Sequence, residues 1–241
     1  MSKIYAIIGP TGVGKTSLSI KLAKKLKAEI ISCDSIQIYK ELNIGSAKIK
    51  KQEKENIPHH MLDIVSVKDK YSVFDYQKQG RDILNKLIKE NKNVVIVGGT
   101  GLYLKALLYD YTFDNKEKKD EPLYDFKLIG LTLDREKLYQ RINNRVDQMI
   151  SEGLINEVRN LYKNKIKNRV VVKTAIGYKE LYQYFKFKIN EQQAINNIKQ
   201  NSRKYAKRQY TFFNNQFKNI NWYNIEEITI DDIIKEVTKG K

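Results

Sequence analysis

Gly9-Pro10-Thr11-Gly12-Val13-Gly14-Lys15-Thr16 is the stretch on which the reading of the fold turns. It follows the apolar run Ile4 to Ile8, which reads as a buried strand. It opens the segment Lys15 to Leu26, where Leu18, Leu22 and Leu26 recur at the spacing of an amphipathic helix. Glycines in the pattern G-x-x-x-x-G-K-[ST] let backbone N–H groups turn inward around a phosphate chain, and the helix that follows points its positive end at the anion. In this pattern Lys15 adds a point charge, and the Thr16 hydroxyl suits Mg²⁺. A strand before and a helix after distinguish a phosphate loop from a chance glycine turn.

The same alternation continues outward. Ala28 to Cys33 reads as a second strand ending at Asp34-Ser35, Tyr76 to Glu90 as a helix, and Val94 to Val97 as a strand halted by Gly98-Gly99. Leu102 to Leu108 looks helical, and Lys127 to Leu133 alternates enough for a further strand. Asp134 is placed to cap a helix from Arg135 to about Ile150. Helical patterns follow around Asn156–Tyr162, Lys179–Phe185 and Glu191–Phe213. This order predicts an α/β fold, a parallel sheet flanked by helices, with a helical basic C-terminal region. Asp114 to Glu121 reads as a charged surface loop before Pro122.

Composition narrows the function classes. The 241 residues are 41% hydrophobic and 30% charged, as in a folded globular chain, with no apolar run long enough to span a membrane. A single cysteine, Cys33, allows no internal disulfide, and with no signal-peptide pattern at the N-terminus the expected location is the cytoplasm. The net charge of +17 is concentrated: Arg159 to Lys218 holds 15 Lys and Arg against two acids, with 11 Tyr or Phe interleaved. Cations that neutralise phosphates beside rings that stack on unpaired bases suit RNA.

A phosphate loop alone does not name the bond that breaks. NTP hydrolases place an Asp at the end of an apolar strand to hold Mg²⁺, but Val94 to Val97 ends in Gly98-Gly99-Thr100. Asn115-Lys116 is followed by Glu117-Lys118, not by a guanine-binding pattern. Adjacent His59 and His60 diverge and have no third ligand nearby in sequence, so they read as a packed or capping pair, and Cys33 as a small buried residue.

Beyond the phosphate loop, Asp34-Ser35-Ile36-Gln37-Ile38-Tyr39-Lys40, Asn43-Ile44-Gly45-Ser46-Ala47-Lys48, Pro58-His59-His60-Met61-Leu62-Asp63 and Tyr71-Ser72-Val73-Phe74-Asp75-Tyr76 occur in order. They are followed by Gly98-Gly99-Thr100-Gly101-Leu102-Tyr103, Arg141-Ile142-Asn143-Asn144-Arg145, Ile176-Gly177-Tyr178-Lys179-Glu180 and Ala206-Lys207-Arg208-Gln209. Collinear from residue 4 to about residue 223, this set resembles the tRNA dimethylallyltransferase (IPP transferase) family, in a short form without the family's helical insertion. The resemblance implies a P-loop NTPase-like core over 1–150, with the insertion reduced to a loop near 111–126. A helical region over 151–241 would pack on the core and contact tRNA. It implies transfer of a dimethylallyl group from its diphosphate to N6 of adenosine 37, beside the tRNA anticodon, by a monomer using Mg²⁺.

On this resemblance Gly9, Pro10, Thr11, Gly12, Val13, Gly14, Lys15 and Thr16 hold the diphosphate, with Thr16 on Mg²⁺. Asp34, Thr100, Arg145, Lys15 and Thr16 match catalytic positions, Asp34 as the acceptor of the amine proton. Asp34, Ser35, Ile36, Gln37, Thr100, Gly101, Gly177, Tyr178, Lys179, Lys207 and Arg208 match tRNA-binding positions, and the role of Arg141 is left open. Two other readings stay open on the residues alone. One is a small-molecule enzyme on the same scaffold, a nucleotide kinase or AMP prenyltransferase. The other is a non-catalytic RNA-binding protein with a relic phosphate loop.

Overall fold

The computed structural model describes residues 2–113, 121–164, 166 and 170–239. The loop expected at Asp114 to Glu121 therefore lies outside the described residues except for Glu121. Six parallel strands form one sheet: β1 (Ile4–Ile8), β2 (Glu29–Ser32), β3 (His59–His60), β4 (Val94–Val97), β5 (Phe126–Thr132) and β6 (Asn221–Asn224), in the order β3-β2-β4-β1-β5-β6. Central β1 is buried along its whole length, as a strand covered by helices on both faces must be. Its register is fixed on both sides, Ile7 opposite Val97 of β4 and Ile129 of β5.

Tyr5 and Ile7 face a core closed by α1 (Lys15–Leu26) and the C-terminal α9 (Ile230–Thr238). Ile4, Ala6 and Ile8 face the opposite core, closed by α2 (Val73–Lys89) and α3 (Gly101–Leu108). A third core joins Ile38, Tyr39 and Leu42 to the helices α4 (Arg135–Ser151), α5 (Leu154–Lys163), α6 (Val170–Thr174), α7 (Tyr178–Phe185) and α8 (Glu191–Gln216). Among the described residues no helix is long and apolar enough to cross a membrane.

Local chemistry explains the boundaries. Asp134 caps α4, accepting from the Glu136 and Lys137 amides. Helix α2 begins three residues earlier than its apolar stripe predicts, because Ser72 and Asp75 form a capping box. Beyond residue 150 the chain comes back to the core: Asn221–Asn224 pairs with β5, and α9 packs against α1. With only Trp222 and Tyr223 between asparagines, β6 carries no apolar run to announce it. Strand β5 is buried from Leu128 to Leu131 rather than alternating, because β1 and β6 flank it and helices cover both faces. The base of the α3–β5 connection is zipped: the Asp110 amide donates to the Glu121 carbonyl at 2.9 Å and the Leu123 amide to the Leu108 carbonyl at 2.8 Å.

The segment after β2 is fastened to α5 by one carboxylate. Glu157 accepts from the amides of Asn43 (3.1 Å), Ile44 (2.9 Å) and Gly45 (3.2 Å) and from the Tyr178 hydroxyl (2.7 Å). Removing it strands three amides and a phenol, so Glu157→Ala is expected to lower unfolding free energy by about 2–4 kcal/mol, and Tyr178→Phe by about 1 kcal/mol. Urea titrations would check both; equal midpoints for Glu157→Ala and the parent would remove the latch from the account.

Candidate active site

The phosphate loop lies where central β1 ends and α1 begins. Gly9 adopts φ +140°, and a Cβ there would meet the Leu131 carbonyl oxygen of β5 at 2.6 Å, so the loop leaves the sheet where only glycine fits. No side chain caps the start of α1, and its first turn holds no acid. Its leading amides are thus left for an anion. The Lys15 ammonium folds over the loop onto the Gly9 and Pro10 carbonyls, both at 2.8 Å.

Arg145 reaches in from α4 and donates to the Thr11 hydroxyl at 3.0 Å. Burial first and the adjacent Arg145 second bring the Lys15 pKa down to about 7, against the opposing pull of the Asp34 carboxylate. Burial also lowers the Arg145 pKa, again against Asp34. Two desolvated cations beside one carboxylate make a site short of negative charge. Thr16, exposed at the start of α1, faces the same cavity. Among the described residues no cluster of three or more His, Cys, Asp or Glu could cage a metal.

Asp34 follows the end of β2. Its Oδ1 accepts from the Ile36 (2.9 Å) and Gln37 (3.3 Å) amides, and no hydrogen bond among the described residues falls on Oδ2. The carboxylate therefore caps its own turn and also faces the phosphate loop. Thr100 holds this turn from behind, its hydroxyl accepting from the Ser35 amide at 3.0 Å. It lines neither of the two cavities described below.

One clamp was not assigned a role from sequence. Gln209 of α8 is only 5% exposed; its Oε1 accepts from the Thr11 amide at 2.9 Å and its Nε2 donates to the Gly99 carbonyl at 2.9 Å. A Cβ on Gly99 would meet that Nε2 at 2.2 Å. One amide thus ties the phosphate loop to the turn that carries Thr100. Tyr205, one turn earlier on α8, also bonds Thr100 and Gln209, and burial pushes its hydroxyl pKa up to about 12. In the sequence Gln209 is marked by the Ala206-Lys207-Arg208-Gln209 match, whereas Tyr205 lies one residue outside it.

Two cavities meet here. One, of about 480 Å³, is lined by the phosphate loop, Lys15, Thr16, Asp34, Arg141 and Arg145. The other, of about 320 Å³, is lined by Ser35, Ile36, Ile142, Met149, Ile176, Gly177, Lys179 and Arg208. They share Thr11, Asp34, Ser46, Arg145 and Tyr205. Not every expected residue opens onto these cavities. Tyr178 is sealed in the core against Gly45, with its hydroxyl on the Glu157 latch. Gln37 lines the first cavity, and its amide donates to the Ser46 (3.2 Å) and Ala47 (3.4 Å) carbonyls. Val13 is fully buried and gives the loop only its backbone. Gly101 lies under Phe212, and Lys207 is exposed on α8 outside both cavities. The His59 Nδ1 is 2.7 Å from the Ile57 carbonyl and the His60 Nε2 2.6 Å from the Glu29 carboxylate, as packed residues would be. Cys33 is buried, and its thiol is pushed up to about 12.

A family model described as IPP transferase matches residues 37–122 and 112–216, in two pieces that meet at the α3–β5 connection. The chain is 40% identical to a tRNA dimethylallyltransferase of Anoxybacillus flavithermus over 288 positions, covering 95% of this chain and 92% of the relative. It is 39% identical to one from Bacillus subtilis over 286 positions, covering 92% and 90%. Both spans exceed the 241 residues of the chain, so the relatives carry residues where this chain has none. A tRNA isopentenylpyrophosphate transferase structure from Bacillus halodurans matches with TM-score 0.91 and 34% identity, covering 98% of this chain and 94% of that one. A eukaryotic dimethylallyltransferase acting on tRNA matches with TM-score 0.84 and 25% identity, covering 93% and 74%.

An anion on the loop raises the Lys15 pKa again, so a protein whose free Lys15 titrates near 7 should take up a proton when it binds inorganic diphosphate at pH 8. The uptake should fade below pH 6, where Lys15 is already charged. Calorimetry in buffers of different ionisation enthalpy reads it, and uptake equal to that of Lys15→Met at pH 8 would contradict it. Gln209→Leu leaves the Thr11 amide and Gly99 carbonyl unpartnered and is expected to weaken diphosphate binding roughly tenfold, about 1.4 kcal/mol. An unchanged dissociation constant would show the clamp to be dispensable for the loop.

Proposed function

The chain belongs to the IPP transferase family and is a prenyltransferase that acts on tRNA, and we propose that it moves a dimethylallyl group from its diphosphate to N6 of the adenosine beside the anticodon. The observation that carries this reading is the meeting of a phosphate cavity and a more apolar cavity on one carboxylate, Asp34. Diphosphate rests on the loop amides with Lys15 and Arg145, which places the allylic carbon towards the shared wall. Thr16 is the residue that would hold Mg²⁺ here, and the ion would neutralise leaving-group charge. The adenine enters by the second cavity, past Ser35, Ile36 and Gly177.

The exocyclic amine attacks the allylic carbon as the carbon–oxygen bond to diphosphate breaks, and the N6 proton passes to Asp34. The growing charge on the diphosphate meets donors already in place, the arrangement that lowers a barrier most. Thr100 acts through Ser35 and Tyr205, holding the Asp34 turn at the angle the transfer needs. Arg141, on the cavity wall one turn before Arg145, adds charge at the entrance. The reading takes the protein to be a cytoplasmic monomer.

The test is incubation with radiolabelled dimethylallyl diphosphate, Mg²⁺ and unmodified tRNA bearing A36-A37, with AMP and ATP-plus-AMP as controls. Label is expected in tRNA; label in AMP, or phosphate transfer from ATP, would overturn the proposal. Asp34→Asn should lower kcat by about 10²–10⁴-fold, with diphosphate affinity within a few-fold of the parent. Arg145→Ala should chiefly raise KM for dimethylallyl diphosphate. Undiminished turnover in Asp34→Asn would take the proton acceptor elsewhere.

A further inference from the structure

Lys179 lines the cavity proposed to receive the adenine and also a smaller one, of about 130 Å³, bordered by α6, α7 and the turn after α7. The smaller cavity is walled by Lys173, Lys179, Lys186 and Lys188 with Val172, Tyr182 and Gln183, and no carboxylate lines it. Glu180 is the nearest acid in sequence, and it is spent inward on the Gly177 amide (2.8 Å) and the Asn201 amide (2.6 Å), with Lys179 at 3.7 Å. Lys186 and Lys188 are exposed on the α7–α8 turn. Between them Phe187 stands 97% exposed with φ +56°. A phenylalanine in left-handed backbone, with no apolar neighbour to cover it, gains nothing from the free protein's core.

We propose that Lys179, Lys173, Lys186 and Lys188 form a track for the phosphate backbone of the RNA strand leaving the reaction cavity, with Phe187 a platform for one unpaired base. The inference rests on the tRNA-modifying reading above and adds where the RNA is gripped outside the crevice. Helix α7 advances the chain by about 12 Å from the cavity mouth to the turn, so the lysines meet successive phosphates rather than one. Ammonium groups supply sequence-independent affinity by releasing counterions, and an exposed ring adds stacking that any base can satisfy. The relatives' additional residues offer surface that this chain lacks, which leaves its own basic turn a larger share of the grip.

The test compares Lys186→Ser/Lys188→Ser with Lys25→Ser/Lys51→Ser, which removes the same charge from exposed positions on neither cavity wall. Binding of a labelled anticodon stem-loop RNA is followed by fluorescence anisotropy over a salt series, and turnover is measured separately on full tRNA. The track variant is expected to bind the stem-loop at least tenfold more weakly. Its log-affinity against log-salt slope should be shallower by roughly 1.4–1.8. Its kcat at saturating tRNA and its KM for dimethylallyl diphosphate should match the parent. Phe187→Ser should weaken binding without changing the salt slope. Equal losses in the two lysine variants would mean net charge alone and would overturn the track, as would parental affinity in Lys186→Ser/Lys188→Ser. Binding is read without turnover, so a parent that grips RNA but transfers no prenyl group would sink the catalytic reading and leave the track standing.

Discussion

The first turn of α1 presents amides that no side chain caps, beside a lysine and an arginine that burial has already made reluctant to carry charge. This deficit of negative charge is the constraint on which the rest of the structure depends. An anion gains most from donors that are already fixed, and here the loop amides, Lys15 and Arg145 are held in place before it binds. Keeping them fixed is the task of elements distant in sequence. Leu131 of β5 closes against Gly9, Arg145 of α4 holds the Thr11 hydroxyl, and Gln209 of α8 holds the Thr11 amide. Among the described residues Asp34 is the carboxylate that opposes the lowered pKa of both half-buried cations, and it is also the group proposed to accept the proton.

Helix α8 carries much of this order. Its Tyr205 and Gln209 face inward to the Thr100 turn and the phosphate loop, while Arg208 lines the second cavity and Lys207 faces solvent. One helix therefore registers the two halves of the site against each other. Its N-terminus, capped by Asn190 and Gln193, lies about 27 Å from Gln209 along the axis and emerges from the basic turn. The phosphate grip at the reaction centre and the cations at the periphery are thus set out along one rigid element.

How much of this was legible in the sequence follows from the range of the interactions. Strands β1 and β4 and helix α1 coincide with their apolar patterns because the pattern itself is what the sheet and helix bury. The loop glycines, Asp34 and Arg145 come together as expected, since a parallel sheet brings strand ends into one crevice. Strand β6 was missed because two aromatics between asparagines make no run, and the 310 turn Gln52–Lys54 because it buries nothing. For Tyr178 the motif match does not distinguish a ring that packs, as this one does, from a ring that binds. Glu157 and Gln209 could not be found by spacing, since their partners lie 114 and 198 residues away.

The zipped pairing at the foot of the α3–β5 connection has a consequence for how the family varies. Leu108, Asp110, Glu121 and Leu123 bond each other at the stem, so residues added between them need not disturb α3 or β5. Loop closure costs little more as a loop lengthens, by about 0.6 kcal/mol per doubling. A lineage can therefore gain or shed a module at this stem without refolding the catalytic centre. In α8 the geometry is unforgiving: one inserted residue would turn Gln209 by about 100° away from the loop it clamps. Evolution is left one place to experiment with reach, and almost none with register.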